Sequence, residues 1–422
     1  MNSKKRRTPV EYFEYERTEN GVKIKGLKES GMLQGGELRM PDYIEGVPVT
    51  VIKERSFVFE DIKVLVLPKK LQEIGQEAFS NSKIKKLVIP GGIKELGRSA
   101  FRDCGIKKLI FDYPEGGDTE IYDFFSTSSP YAFIENPIEE IVVRGDNPYI
   151  KDINRQGLYS KNGKRLILGV TSGRIEKGTK IIAPCAFKRR GVRAINLPTS
   201  IRRIGLESFS YNKLSELEIP EGLKILGTSS FAHNQIEKLK TPKSLRLIKE
   251  SAFVANKIKT LEMNEGLKEI GDGAFISNKL KKVKLPKTLT RVGAEAFVNN
   301  SIEKAIIFES ESLSVGPKAF RNNKIEVVFI NKEMIEGHSW ILTPFSGNKV
   351  KKIFISGPLE NPIQHYVEKG YLEEVHLEKG VADDVRFMEI NEELLKQNDI
   401  KVKILTKEEM NNIKNIYQTI NV

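Results

Sequence analysis

The sequence predicts an α/β, β-rich solenoid: a curved right-handed superhelix of 22-residue coils with a parallel sheet on its concave side, capped at both ends. Three observations predict it. An Ala/Ser-Phe pair recurs at a fixed interval, columns of proline, glycine and asparagine keep step with it, and the residues before each proline alternate with the period of a strand. The phenylalanines are Phe57, Phe79, Phe101, Phe187, Phe209, Phe231, Phe253, Phe275, Phe297 and Phe320, 22 residues apart within each run and 23 at the last step. Proline stands at 68, 90, 198, 220, 242 and 286; glycine at 75, 97, 205, 227, 271, 293 and 316; asparagine at 212, 234, 256, 278, 300, 323 and 348. A chain of 422 residues would ordinarily divide into several globular domains, yet composition marks no place to cut it. One elongated array accounts for both facts, and 39% apolar with 30% charged residues suits its core and its large surface.

Each column has a physical reason. The unit L-x-x-L-x-L-P-x-x-L-x-x-I-G-x-x-A-F-x-x-N-x opens with alternation, so each coil donates one short parallel strand with one face inward and one outward. Proline closes the strand where a missing N–H costs least. The Ile-Gly step turns the chain, and the Ala-Phe pair sets a ring beneath the next coil, where burial contributes a few kcal/mol. Lys53, Ala183 and Lys249 stand in the glycine column, so this turn does not demand positive φ in every coil. The asparagines fall where buried backbone groups need partners, which makes them a hydrogen-bonded ladder between coils.

These residues resemble the BspA-like bacterial leucine-rich repeats, whose units read LxxIxIPxxVxxIGxxAFxxC. The likeness runs from about residue 38 to 355, as in LKEIGDGAFISNKLKKVKLP from Leu267 to Pro286. It implies a leucine-rich-repeat solenoid, and for exported members a role in surface adhesion or host contact. Cys104 falls on the asparagine column, where the family often carries cysteine, which implies a buried ladder residue.

The expected organisation is an N-terminal hairpin cap over 1–37, repeats over 38–112, an insertion or degenerate zone over 113–180, repeats over 181–355 and a C-terminal capping segment with helices over 356–422. The cap pairs Tyr12 to Arg17 with Val22 to Ile24. The motif is illegible from about 113 to 150, where Tyr113, Tyr122, Phe124, Phe125, Tyr131 and Phe133 read equally as an exposed binding loop or as packing that closes distorted coils. Asn162-Gly163 suits a type I′ hairpin turn, and the family resemblance implies an edge hairpin there. After Ile355, helices are expected from Asn361-Pro362, from Asn391, and from Thr406 with Glu409 in capping-box position.

Chemistry finds little support. Four histidines, two distant cysteines and the absence of GxSxG, HExxH or EF-hand strings leave no enzyme, metal site or cofactor to expect. Gly157 to Lys164 misses the spacing of a phosphate loop, and Arg144-Gly145-Asp146 resembles an integrin tripeptide within ordinary turn chemistry. No apolar window of about 18 residues occurs, so no membrane helix is expected. The basic opening lacks an apolar segment behind it, so the chain as given is read as cytoplasmic, or as secreted or cell-surface if a leader was removed.

The informative surface is the outward part of each strand. Its third position carries Val64, Lys86, Lys108, Ala194, Glu216, Lys238, Thr260, Lys282, Lys304, Val327 and Lys352, and its fifth Val66, Val88, Ile110, Asn196, Glu218, Lys240, Glu262, Lys284, Ile306, Phe329 and Phe354. Apolar ends flank a charged middle. Phe329 and Phe354 are the expected aromatic anchors of a protein interface, with Ile306, Lys282, Lys284, Lys304 and Lys352 around them. The competing expectation is that the C-terminal segment covers both rings. A non-catalytic recognition or scaffold protein engaging a protein partner is the first functional reading. The second is a nucleic-acid-binding solenoid, suggested by a net charge of +13 but opposed by interrupting glutamates and the lack of an aromatic stacking platform.

Overall fold

The computed structural model describes residues 7–29, 31–113, 130–310, 313–330, 343–357, 359, 362–363, 366, 369–396 and 399–421. The chain forms two compact units, Met1–Lys213 and Leu214–Val422. Each is a stack of coils built to one plan.

Most coils carry two short strands rather than one, although the segments 194–197, 214–219 and 280–285 make no strand pairing, and their coils have the second strand alone. The first is the L-x-L segment. The second ends at the isoleucine before the glycine, where the sequence suggested only a turn: Glu73–Ile74 pairs in parallel with Val51 and Ile52 on one side and with Glu95–Leu96 on the other. In the second unit Ile225–Leu226, Leu247–Ile248, Glu269–Ile270, Arg291–Val292 and Ser314–Val315 form one such parallel ladder. The glycine that follows is required by proximity and not by its own backbone angle. A Cβ built on Gly271 would lie 2.5 Å from the Glu250 nitrogen in the coil before.

Positive φ is concentrated instead at two other places in each coil, the residue before Ala-Phe and the residue before the ladder asparagine. Ser251 (φ 55) and Ala255 (φ 54) show the pair. The alternation of left- and right-handed residues turns successive N–H groups toward the next coil: Ser251 donates to Asp272 O at 2.8 Å, Phe253 to Ala274 O at 2.9 Å and Ala255 to Ile276 O at 2.9 Å. These bonds offset a left-handed strain of about 1–2 kcal/mol per residue.

Beneath them the phenylalanine rings stack. Centroid separations are 5.2 Å for Phe57–Phe79, 5.1 Å for Phe79–Phe101 and 5.0 Å for Phe187–Phe209, and they run from 5.2 to 5.7 Å between Phe231 and Phe345. The asparagine ladder runs alongside. Asn278 donates from Nδ2 to Phe253 O at 2.9 Å and Phe275 O at 3.2 Å, while its Oδ1 accepts from Ile258 N–H at 3.0 Å. Cys104 occupies the same column, donating from Sγ to Phe79 O at 2.9 Å, and burial pushes its thiol up to about 12.

In the first unit the hairpin of β1 (Phe13–Thr18) and β2 (Gly21–Leu27) stands at the start, and β2 pairs in parallel with Val49, Val51 and Ile52. Outward-facing first strands are β3 (Glu37–Arg39), β4 (Val64–Val66), β5 (Lys86–Pro90), β6 (Lys108–Asp112) and β7 (Glu140–Arg144). The repeat returns earlier than the sequence suggested. Ala132-Phe133 and Asn136 make an ordinary coil: Phe133 stacks on Phe101 at 5.8 Å, and Asn136 donates to Phe101 O at 2.7 Å. A three-stranded antiparallel element follows, β8 (Ile150–Asp152), β9 (Gly157–Ser160) and β10 (Arg165–Gly169), and β10 joins the second-strand ladder at Ile181–Ile182. Its turn is not type I′. Only Gly163 is left-handed (φ 72), and Gly163 N–H closes on Ser160 O at 2.7 Å, a type I turn with a glycine bulge behind it.

Arg190 holds the ladder position of the next coil. Its Nη1 donates to Phe133 O at 2.6 Å and to Asn136 O at 2.9 Å, and full burial lowers the guanidinium to about 9. Tyr113 and Phe133 are buried and Tyr131 is half-buried, so these three serve packing; Tyr122, Phe124 and Phe125 lie outside the described residues.

In the second unit the first strands are β11 (Lys238–Lys240), β12 (Thr260–Glu262), β13 (Glu303–Ile307), β14 (Lys324–Ile330), β15 (Lys352–Ile355), β16 (Glu374–Glu378) and β17 (Lys401–Leu405), the last five forming one parallel sheet in that order. Between β16 and β17 lie the short helices α1 (Lys379–Ala382), α2 (Val385–Ile390) and α3 (Glu392–Leu395). The helix expected from Asn361-Pro362 falls largely outside the described residues. α4 (Lys407–Asn421) starts at the expected capping box: Thr406 N–H and Oγ1 donate to Glu409 Oε2 at 2.8 and 2.9 Å, and Glu409 N–H donates to Thr406 Oγ1 at 3.2 Å.

Candidate interaction surface

The outward residues of the first strands are where the sequence placed recognition. In the first unit they make two rows. Lys86, Lys108 and Glu140 stand in one register and Val88, Ile110 and Val142 in the next, while Glu37 pairs across from Val64 and Arg39 from Val66. Val64, Val66, Val88 and Val142 are half-buried on this face, while Ile110, between Val88 and Val142, is fully buried. Charges bound the face. Lys108 meets Glu140 at 2.6 Å, and Arg155 reaches the same carboxylate at 3.0 Å, which holds Glu140 below the usual carboxylate range through its bond to Lys108 first. A groove of about 650 Å³ opens at the proline end of these strands, lined by Val66, Val88, Lys69, Lys70, Asp112 and Arg144. Arg144 lies 3.6 Å from Asp112, and Asp146 pairs with Lys161, so both charges of the Arg-Gly-Asp string are engaged within the chain.

In the second unit the outward face is charged where it is open. Lys238, Lys240, Glu262, Lys282 and Lys284 are exposed, and Lys240 meets Glu262 at 3.2 Å. Beyond them the face is covered. Phe329 and Phe354 stack at 4.4 Å and are only 5% and 3% exposed, because α4 lies across them with Met410, Ile413 and Tyr417. As exposed anchors, both are corrected: they are the seat of an intramolecular helix. Tyr417 meets Phe329 edge-on at 5.5 Å.

Ile306 is corrected too. It is 1% exposed and points inward, since a bulge between Lys304 and Ala305 inserts one residue and sets Ala305 opposite Val327 and Ile307 opposite Phe329. Lys304, with φ 66, absorbs the bulge and remains exposed, off the expected column. The extra residue of the 23-residue step was visible in the sequence; its location was not. Lys352 is half-buried against Glu374 at 3.2 Å.

His376 continues the covered stack, 4.3 Å from Phe354, with Nε2 2.8 Å from Glu374. That contact first, and Lys352 after it, hold the Glu374 carboxyl down at about 2; burial lowers His376. At the margin of α4 a cavity of about 210 Å³ is lined by Lys284, Lys287, Ile307, Glu309 and Gln418. His338 and His365 lie outside the described residues. Among the described residues no group of three or more His, Cys, Asp or Glu side chains is placed to hold a metal ion, and no helix is long and apolar enough to cross a membrane.

Comparison with known proteins places this architecture. The profile of the BspA type leucine rich repeat region matches six copies over residues 50–152, 180–303 and 268–383, well over half of the chain. Among solved structures, a leucine-rich repeat protein from Eubacterium ventriosum ATCC 27560 is similar at 19% identity over 60% of this chain and 75% of that one, with a TM-score of 0.44. The pneumococcal vaccine antigen PcpA is similar at 14% identity over 94% and 96% of the two chains, TM-score 0.40. A leucine rich cell surface protein from Faecalibacterium prausnitzii A2-165 is similar at 14% identity over 96% of both chains, TM-score 0.31. No curated protein matches the sequence. On the six matched repeats and the coils they form, this chain belongs to the BspA-type leucine-rich-repeat family.

Proposed function

We propose that the protein is a non-catalytic recognition module that binds a protein partner through the outward strand face of its Met1–Lys213 unit. The observation that carries this reading is the set of Val64, Val66, Val88 and Val142, left half-buried beside a groove of about 650 Å³ and rimmed by Lys69, Lys70, Lys86 and Arg144. An apolar centre inside a charged rim is the usual anatomy of a protein interface.

Nucleic acid is the poorer fit, because Lys108 and Lys240 are matched by Glu140 and Glu262 and the aromatic pair Phe329 and Phe354 is covered. The test is affinity capture from cell lysate and from cell-surface extract, with the intact protein, a Val66→Glu/Val88→Glu variant and a nuclease-treated arm. A protein retained by the parent, lost by the variant and indifferent to nuclease supports the reading; capture that vanishes with nuclease, or survives both changes, refutes it.

A further inference from the structure

The last strand of the Leu214–Val422 unit has a partner on one edge only. β17 pairs with β16 in parallel register, Glu374 opposite Lys401 through Glu378 opposite Leu405, and among the described residues no strand occupies its other edge. Alternate residues of a parallel strand address opposite edges. Lys401 N–H donates to Glu373 O at 2.9 Å, so the backbone N–H and C=O of Val402 and Ile404 point away from β16. Their side chains are also uncovered: Val402 is 39% and Ile404 62% exposed, although their register neighbours Val375 and Leu377 are fully buried. α4 leaves this edge open because it folds back over β14 and β15.

We propose that β17 accepts, by strand addition, an extended segment of a partner protein in which acidic residues alternate with branched apolar ones. β16 shows the chemistry that fits. It sets Glu374 on the outer face 3.5 Å from Lys403, and Val375 and Leu377 on the inner face beside Val402 and Ile404. A strand offers the same side chains to both of its edges, so a second occupant meets the same two lysines and the same apolar pair. A second copy of this chain fits worse, because antiparallel pairing centred on Lys403 sets lysine against lysine, a charge pattern that blocks edge-to-edge association. This edge is separate from the strand face proposed above and does not depend on it.

The experiment uses the full chain and a fluorescein-labelled peptide Glu-Glu-Val-His-Leu-Glu, the sequence of residues 373–378, read by fluorescence anisotropy. Saturable binding is expected, weakened about tenfold or more by Ile404→Pro, which removes a free-edge donor and leaves the ladder to β16 intact. Lys401→Glu, a surface change that leaves the fold in place, weakens the same peptide and restores binding to one whose glutamates are replaced by lysine. Absence of saturation at millimolar peptide, or binding indifferent to both variants, overturns the proposal. So does a concentration-dependent dimer in sedimentation that Ile404→Pro abolishes, since the edge then belongs to a second copy.

Discussion

Replacing Asn278 by alanine tests the ladder at a site where every bond is defined. Its amide satisfies three backbone groups from separate segments: it donates to Phe253 O and Phe275 O and accepts from Ile258 N–H, and the side chain is 7% exposed. Alanine leaves the Ile258 N–H buried without a partner, whereas Phe253 O keeps Asn256 Nδ2 at 3.2 Å and Phe275 O keeps Asn300 Nδ2 at 2.9 Å. At about 1–3 kcal/mol for that one orphaned group the loss is about 2 kcal/mol, more than the net worth of an ordinary hydrogen bond. Urea denaturation of the full chain followed by far-UV circular dichroism reads the change. Asn278→Asp sharpens the test: an ionised carboxylate cannot donate to two carbonyls, and burial raises its pKa. Its deficit is therefore largest above the ordinary carboxylate pKa and shrinks as pH falls and the group becomes a donor. A loss below about 1 kcal/mol for alanine, or a carboxylate tolerated equally at pH 7 and pH 4, would refute the ladder as a stabilising element.

Three further outcomes follow from the same geometry. Ala255 sits at φ 54, so Ala255→Gly relieves about 1–2 kcal/mol of left-handed strain against about 0.5–1 of added chain entropy, and a small rise in urea midpoint is expected where a fall would contradict the assignment. Glu374, held down to about 2 by His376 and then Lys352, contributes stability that is present above pH 4.5, its ordinary value, and lost as pH falls toward about 2. Glu374→Gln flattens acid unfolding across that window, and an unchanged acid profile would remove the residue from the account. Met410→Asp/Tyr417→Asp should release α4 and expose Phe329 and Phe354, seen as new binding of a hydrophobic dye; unchanged dye fluorescence would show that the helix is not held by those contacts.

The repeat was readable because each coil buries the same ring and satisfies the same backbone groups as its neighbour, which repeats Phe275 and Asn278 in register along the chain. What the sequence hid was either too short or too remote. Two-residue strands such as Glu269–Ile270 carry no period to detect. The coil at Ala132-Phe133 keeps Ala-Phe and Asn136 but has Ser128-Ser129 where Ile-Gly should stand, and it comes 32 residues after Phe101, out of phase with the interval of 22. Arg190 does the work of an asparagine with a different side chain. For the surface, strand alternation identified the outward column correctly up to Lys304, where one bulged residue inverted the rest of that strand and buried Ile306. Phe329 and Phe354 stand at the outward positions expected, and of the two expectations for them the structure meets the competing one, coverage by the C-terminal segment. The apolar face of α4, Met410, Ile413 and Tyr417, is visible as helical spacing, but the strands it covers lie some 60 to 110 residues back in the chain, so local spacing alone did not decide between coverage and exposure.

The most direct test of the recognition account is amide hydrogen exchange on the protein alone and in complex with its captured partner. The account predicts slowed exchange in Glu37–Arg39, Val64–Val66, Lys86–Pro90, Lys108–Asp112 and Glu140–Arg144. Protection elsewhere, with these strands exchanging as they do in the free protein, would contradict it.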